Sequence, residues 1–368
     1  RSLVWDLVVG LLRGGSATVT GLGRALQRAI DEKHAIKCAD RALSNRHVFE
    51  ERHRWYREIA ANAVGRCARP IIIIDGTPLY EERGALRASA VMDGRPITIL
   101  NEVYPETSLG RPRVHARFLR ALRDVLPPGC RPILVVDGGF MGPFFEKVRK
   151  LGWDYVGRLG SAMWLYPEDG SSQQVRDLFP VARRKPRDLG SCALTRRRYP
   201  TRVVLYDGRG KRARRPPTHL PRGQNRQRKR RMKAREPWVL ATSCRDLCAR
   251  DIVMLYQRRM QIEESFRDDK SPRFGRGFRF ARCSDDRRLA VMLLLLALAG
   301  FALLTLGFIA EARGLAKRFQ ANSTSARRVL SLPFLGQRLL ARTDFNPTHR
   351  DIDGAFAGFS SACASPPS

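Results

Sequence analysis

From Leu289 to Ala310 the chain reads LAVMLLLLALAGFALLTLGFIA, 22 residues without a charge. Such a stretch has two physical homes. It is long enough to span a bilayer, and a helix buried on all sides of a large core shows the same all-round apolar pattern. Its surroundings favour the core. The run is single, follows a charged helical segment and is chased by more basic helix. A chain of 368 residues can bury a core of that size. The expectation is a core helix and no membrane partner.

Charge narrows the partner. Lys and Arg total 68 against 35 acidic residues, a net charge of +33 and a pI near 11.2. A field of that sign draws in a polyanion. Nucleic acid fits, because each neutralised phosphate releases a condensed counterion. Residues 208–235 hold 13 Lys or Arg and no acid, a run that is either bound to phosphate or solvated. With 43% hydrophobic residues the chain is expected to be globular. Its eight cysteines are scattered, and Cys244 and Cys248 form a lone CxxxC without a second pair. Idle thiols in a reducing cytoplasm are the better reading. No secretory signal is read in the sequence.

The pattern along the chain predicts an α/β protein. Residues 1–68 read as a helical head, with Leu22, Leu26 and Ile30 at helical spacing. Ile71–Ile74 and Ile133–Val136 are short β-branched runs bounded by Pro or Gly, the mark of buried strands. Between them, Ala88–Met92 and Ile97–Tyr104 suggest two strands joined at Asp93-Gly94. Helices are expected over 114–126, 143–151 and 246–269, with strands at Tyr155–Leu159 and Trp238–Thr242. The chain is expected to divide into the head (1–68), two αβ stretches (69–159 and 237–315), a basic stretch of short strands and turns between them (160–236), and a C-terminal helix with a loose tail (316–368).

Three carboxylates stand out. Asp75 follows the run IIII and Asp137 follows ILVV, and each precedes a Gly that would let the chain turn sharply and expose the carboxylate. Two such strand ends on one sheet can converge on a cation, since Mg²⁺ takes one or two carboxylates plus phosphate oxygens. Further on, Tyr256, Arg259, Glu263 and Lys270 fall within one ~60° arc if the segment is a single helix turning ~100° per residue. An aromatic, two cations and a carboxylate make a poor core face and a good DNA- and metal-facing one. A solvated face with an Arg259–Glu263 ion pair is the bland alternative.

The segment YQRRMQIEESFRDDK, with the upstream DGT at Asp75 and DGGF at Asp137, resembles the YREK signature of bacterial insertion-sequence DDE transposases. That family belongs to the ribonuclease-H-like superfamily. The resemblance covers roughly residues 5–340 and implies a ribonuclease-H-like mixed sheet flanked by helices. It makes the αβ stretches 69–159 and 237–315 one catalytic domain, and 160–236 a mostly β insertion in it. It implies that Asp75, Asp137 and Glu263 bind two Mg²⁺ or Mn²⁺ ions. These would activate a water or 3′-hydroxyl and stabilise the leaving oxygen of an in-line displacement. Arg259 and Lys270 would hold transposon-end DNA and Tyr256 would contact its phosphate. Trp238, where the insertion rejoins the sheet, would stack on a base flipped out near the cut, or else only pack the insertion. Met260 departs from relatives that carry a Trp after the signature Arg. The implied partners are double-stranded DNA, both terminal inverted repeats and target, and a second copy of the chain in a homodimer. The implied location is the bacterial cytoplasm, at the nucleoid.

Rival readings fare worse. A haloacid-dehalogenase-type phosphatase needs an Asp two residues before Asp75, where Ile73 stands. A Walker B strand at ILVVD lacks the phosphate loop of an NTPase. A nuclease of the same fold that never joins DNA, and a non-catalytic DNA-binding relic, stay open.

Overall fold

A computed structural model describes residues 2–208, 236–272, 275–283, 285–321, 324, 327–342 and 345–364. Most of the basic run 208–235 lies outside the described residues. The described residues form two compact units, one from residues 2–132 with 258–364 and the other from residues 133–257.

Unit one opens with helices α1 (Ser2–Leu12), α2 (Val19–Ala25), α3 (Glu32–Leu43) and α4 (Arg46–Val64). The Thr18 hydroxyl accepts from the Gly21 N–H and the Asn45 side chain from His47 and Val48, so α2 and α4 begin on side-chain caps. The expected helical face through Ile30 is corrected. Leu26 adopts extended backbone and ends α2, and Ile30 is 44% exposed. Strands β1 (Ile71–Pro78), β2 (Arg83–Ala90) and β3 (Ile97–Pro105) then form an antiparallel meander in the order β3-β2-β1. β2 starts five residues earlier than expected. The β2–β3 turn falls at Asp93-Gly94 as predicted, with Gly94 at φ 92°. Helix α5 (Pro112–Val125) follows, with Pro at its start, where a missing N–H costs nothing.

Unit two begins with β4 (Ile133–Val136), α6 (Gly142–Lys150) and β5 (Asp154–Arg158), a right place for a parallel pair, and β4 and β5 are parallel. Strands β6 (Trp164–Pro167), β7 (Gln173–Gln174), β8 (Arg187–Leu194) and β9 (Tyr199–Tyr206) lie within residues 160–236, with a 3-10 helix over Val175–Val181. β10 (Trp238–Thr242) returns between β5 and β9, antiparallel to both, giving the order β4-β5-β10-β9-β8-β6-β7 in this unit. Helix α7 (Ala249–Gln257) closes it.

The chain returns to unit one with α8 (Met260–Lys270), α9 (Asp286–Ala312), α10 (Leu332–Leu340) and α11 (His349–Ala364). The single helix expected over 246–269 is thus two helices. At the joint the N–H groups of Gln261 and Ile262 donate three residues back, to Arg258 and Arg259, so one tightened turn replaces the regular ladder. The apolar run is the middle of α9, and 78% of its most apolar window is buried inside the protein. Each Leu so buried contributes about 1.5–3 kcal/mol. α10 crosses α9 where both carry glycine. A Cβ on Gly307 would meet the Leu332 carbonyl at 2.1 Å, and one on Gly336 the Leu303 carbonyl at 2.1 Å. The loose tail is also corrected: α11 is a helix, and its Phe359 is fully buried against Phe308, ring centroids 4.7 Å apart. The terminal run of small residues hid an aromatic face formed by Phe356 and Phe359 just before it.

Candidate active site

In unit one, Asp75 lies inside β1 rather than at its end. Gly76, Thr77 and Pro78 continue the strand, paired with Leu86, Ala85 and Gly84. The Asp75 carboxylate is reached by Arg259, the residue just before α8. Its Oδ1 accepts from the Gly76 N–H at 2.7 Å and its Oδ2 from Arg259 Nη1 at 3.1 Å. The other arm of the same guanidinium, Nη2, donates to Glu263 Oε1 at 2.5 Å. Arg259 and Asp75 are mostly buried, with side chains 14% and 16% exposed, whereas Glu263 is 44% exposed. One planar cation therefore gathers two carboxylates that stand 188 positions apart in the numbering, Asp75 on a strand and Glu263 on a helix.

Lys270, at the far end of α8, reaches β1 as well. Its Nζ donates to Thr77 Oγ1 and to the Pro78 carbonyl, each at 2.6 Å. Burial, reinforced by the charge of Arg87, pushes its ammonium down to about 8.

A set of contacts that the sequence reading missed holds α8 on the meander. Arg87, on β2 and only 2% exposed, donates to Asn101 at 2.8 Å, Ser265 at 3.1 Å and Asp269 at 2.6 Å. Its guanidinium also lies over the Phe266 ring, 4.6 Å from the centroid. Arg95 pairs with Asp268 at 2.6 Å and Glu264 at 3.1 Å. The Gln261 amide closes both backbone groups of Met92, at 2.7 and 3.2 Å. Burial raises the Asp268 carboxyl, and Arg95 opposes that rise. The available signal was a lone Arg within the otherwise small and apolar run ALRASAVM, where a charge must find partners.

In unit two, Asp137 directly follows β4, as the sequence predicted, and its Oδ1 accepts from the Gly139 N–H at 2.7 Å. Tyr256 is 4% exposed and meets Trp238 edge-on, centroids 4.9 Å apart. Trp238 also touches Tyr206, its partner across β9 and β10. The helical-wheel argument fails for Tyr256, because α7 ends before Arg259 and the arc does not run through the joint.

A family model for the transposase DDE domain matches residues 66–299, more than half of the chain. The chain belongs to that family. No curated protein matches it. The match takes in both aspartates, the whole of α8 and the first half of α9, and agrees with the motifs on a DDE transposase. The strands of each unit and the flanking helices are those of a mixed α/β transposase fold.

Family membership implies a DNA-acting enzyme that uses divalent metal. Among the described residues of the transposase, no group of three or more His, Cys, Asp or Glu stands close enough to hold a metal ion. The donor chemistry still fits one. Asp75 and Glu263 offer carboxylate oxygens, which suit hard ions such as Mg²⁺ and Mn²⁺. They already converge on a cation, the Arg259 guanidinium.

Proposed function

We propose that the transposase binds the terminal inverted repeats of a bacterial insertion sequence and cuts and joins DNA there, as a member of the YREK-signature branch. Asp75, Asp137 and Glu263 are the ligands of two Mg²⁺ or Mn²⁺ ions in this reading. Bound metal supplies activation of the attacking hydroxyl and stabilisation of the leaving oxygen.

The observation that supports it best is the shared guanidinium. Two carboxylates held this close repel one another, and Arg259 offsets that repulsion from between them. A guanidinium fork also matches a phosphate. Arg259 therefore has two partners in succession: the carboxylates before DNA arrives, and a transposon-end phosphate afterwards. That transfer frees the Asp75 and Glu263 carboxylates for metal, so cleavage waits for substrate. Lys270 takes a neighbouring phosphate. Its lowered pKa makes that contact sensitive to pH. Trp238 stacks on a flipped base, braced by the buried Tyr256 ring in place of the phosphate contact expected of that tyrosine, and returns about 1–3 kcal/mol of the few kcal/mol that flipping costs. Residues 1–68 serve as a DNA-binding head, and two copies pair the two ends at the nucleoid.

A supercoiled plasmid carrying the repeats that flank the gene tests this. The expected result is Mg²⁺-dependent nicking at the repeat ends, followed by joined product with a short target duplication. Nicks without joined product would assign a nuclease. Retained binding with no cleavage would assign a relic.

A further inference from the structure

The open end of the unit-two sheet carries a cleft of about 840 Å³ that the chemistry above does not use. Arg149, Arg198, Arg202 and Arg245 line it, against only Asp154 and Glu168. Its place is fixed by strand register. β4 and β5 run parallel with Ile133 opposite Asp154 and Val136 opposite Gly157. Asp137 follows Val136 at one end, whereas Asp154 begins β5 at the other. Thr242 pairs with both Val156 and Arg202, so the ends of β10 and β9 that face the cleft lie on the Asp154 side. Four residue steps separate that side from the level of Asp137, about 13 Å at ~3.3 Å each.

The cleft is built around a fixed cation. Arg202 donates to Asp188 Oδ2 at 2.6 and 2.9 Å and to the carbonyls of Cys244 and Leu247 at 2.9 and 2.7 Å. Of the two acids, Asp154 already accepts the Ser243 hydroxyl at 2.7 Å. The three remaining arginines are exposed on the rim. Arg198 sits in a left-handed turn, φ 55°, with its guanidinium 3.7 Å from the Tyr166 ring centroid. Arg149 stands in the last turn of α6 beside Lys147 and Lys150. Across from it, the β8–β9 turn adds the exposed cations Arg196, Arg197 and Arg198.

We propose that this cleft is a second DNA site, gripping the phosphate backbone of the duplex away from the cut. Its charge matches a polyanion, and its rim extends beyond what one small anion covers. The site does not depend on the carboxylates of the active site, so the two readings fail separately.

The test uses the full chain with Arg149→Gln, Arg198→Gln and Arg245→Gln combined, all at exposed positions, with thermal melting as the check of folding. Affinity for a long duplex is measured against salt concentration. The log–log slope should fall by about 0.9 for each lost phosphate contact, up to about 2.7 for three. A control with equal charge loss on unit one outside the DNA-binding head, Arg120→Gln, Lys317→Gln and Arg338→Gln, all at exposed positions, should keep the wild-type slope. An unchanged slope in the cleft variant, or an equal fall in the control, would overturn the proposal. So would loss of tripolyphosphate binding with an unchanged DNA slope, which would make the occupant a free polyphosphate.

Discussion

Asp75 and Asp137 follow nearly the same sequence, a β-branched run and then Asp-Gly, yet their surroundings differ in kind. Asp137 directly follows its strand, and the Gly139 N–H, two residues on, donates to its carboxylate. Asp75 stays inside a strand that continues for three residues, and its carboxylate is bound by the arginine of a distant helix. Across the ladder it faces Arg87, the residue that pins that helix. An aspartate in a turn is set locally. One in a strand interior needs a tertiary partner, and the same pattern of letters describes both.

The largest expected effect lies behind Asp75. Replacing Arg87 with Met removes a buried cation from Asn101, Ser265 and Asp269 and leaves the Asp269 carboxylate without it. Breaking such a pair costs about 3–5 kcal/mol, read by chemical denaturation. A loss under about 1 kcal/mol would mean that α8 is held by its apolar face alone.

Asp75→Asn and Asp137→Asn should then separate the two sites. An asparagine oxygen still accepts from the Gly139 N–H, so Asp137→Asn should leave stability nearly unchanged. Asp75→Asn weakens a charge-assisted bond to Arg259 and should cost about 1–3 kcal/mol. Equal melting of the two variants would erase the distinction drawn here.

The smallest effect concerns Lys270, which docks on the same strand as Asp75. Its folded pKa, about 8, is below its unfolded value, so the unfolded chain binds more protons between that value and the ordinary lysine range. This group's contribution to stability therefore rises with pH through that window. Phosphate binding runs the other way: affinity for a transposon-end duplex should fall by up to about tenfold between pH 7 and 9 as the charge is lost. Lys270→Arg, which stays charged, should flatten that profile. A profile unchanged by the substitution would assign the pH dependence to another group.

Much of this was legible in the sequence because it was local. The β-branched runs gave β1 and β4, WVLAT gave β10 residue for residue, and the uncharged run gave α9. What was missed needed tertiary information. The joint between α7 and α8 has no Pro or Gly to announce it, only Arg258 and Arg259. Arg87 looked like an ordinary strand residue until α8 lay across it. The Arg259–Glu263 spacing was readable as an i,i+4 pair, but its third member, Asp75, was not.

The central claim is that Asp75, Asp137 and Glu263 together hold divalent metal once DNA has engaged Arg259. Mn²⁺ bound to the protein–duplex complex, counted by electron paramagnetic resonance, tests it without requiring turnover. Wild-type protein with a terminal-repeat duplex should bind Mn²⁺ more tightly than protein alone. Asp75→Asn, Asp137→Asn and Glu263→Gln should each weaken that binding by at least about 10–100-fold, the range seen even for outer-shell changes. Wild-type Mn²⁺ affinity in the Asp137→Asn complex would contradict the account, because Asp137 would then stand apart from the site that Asp75 and Glu263 share.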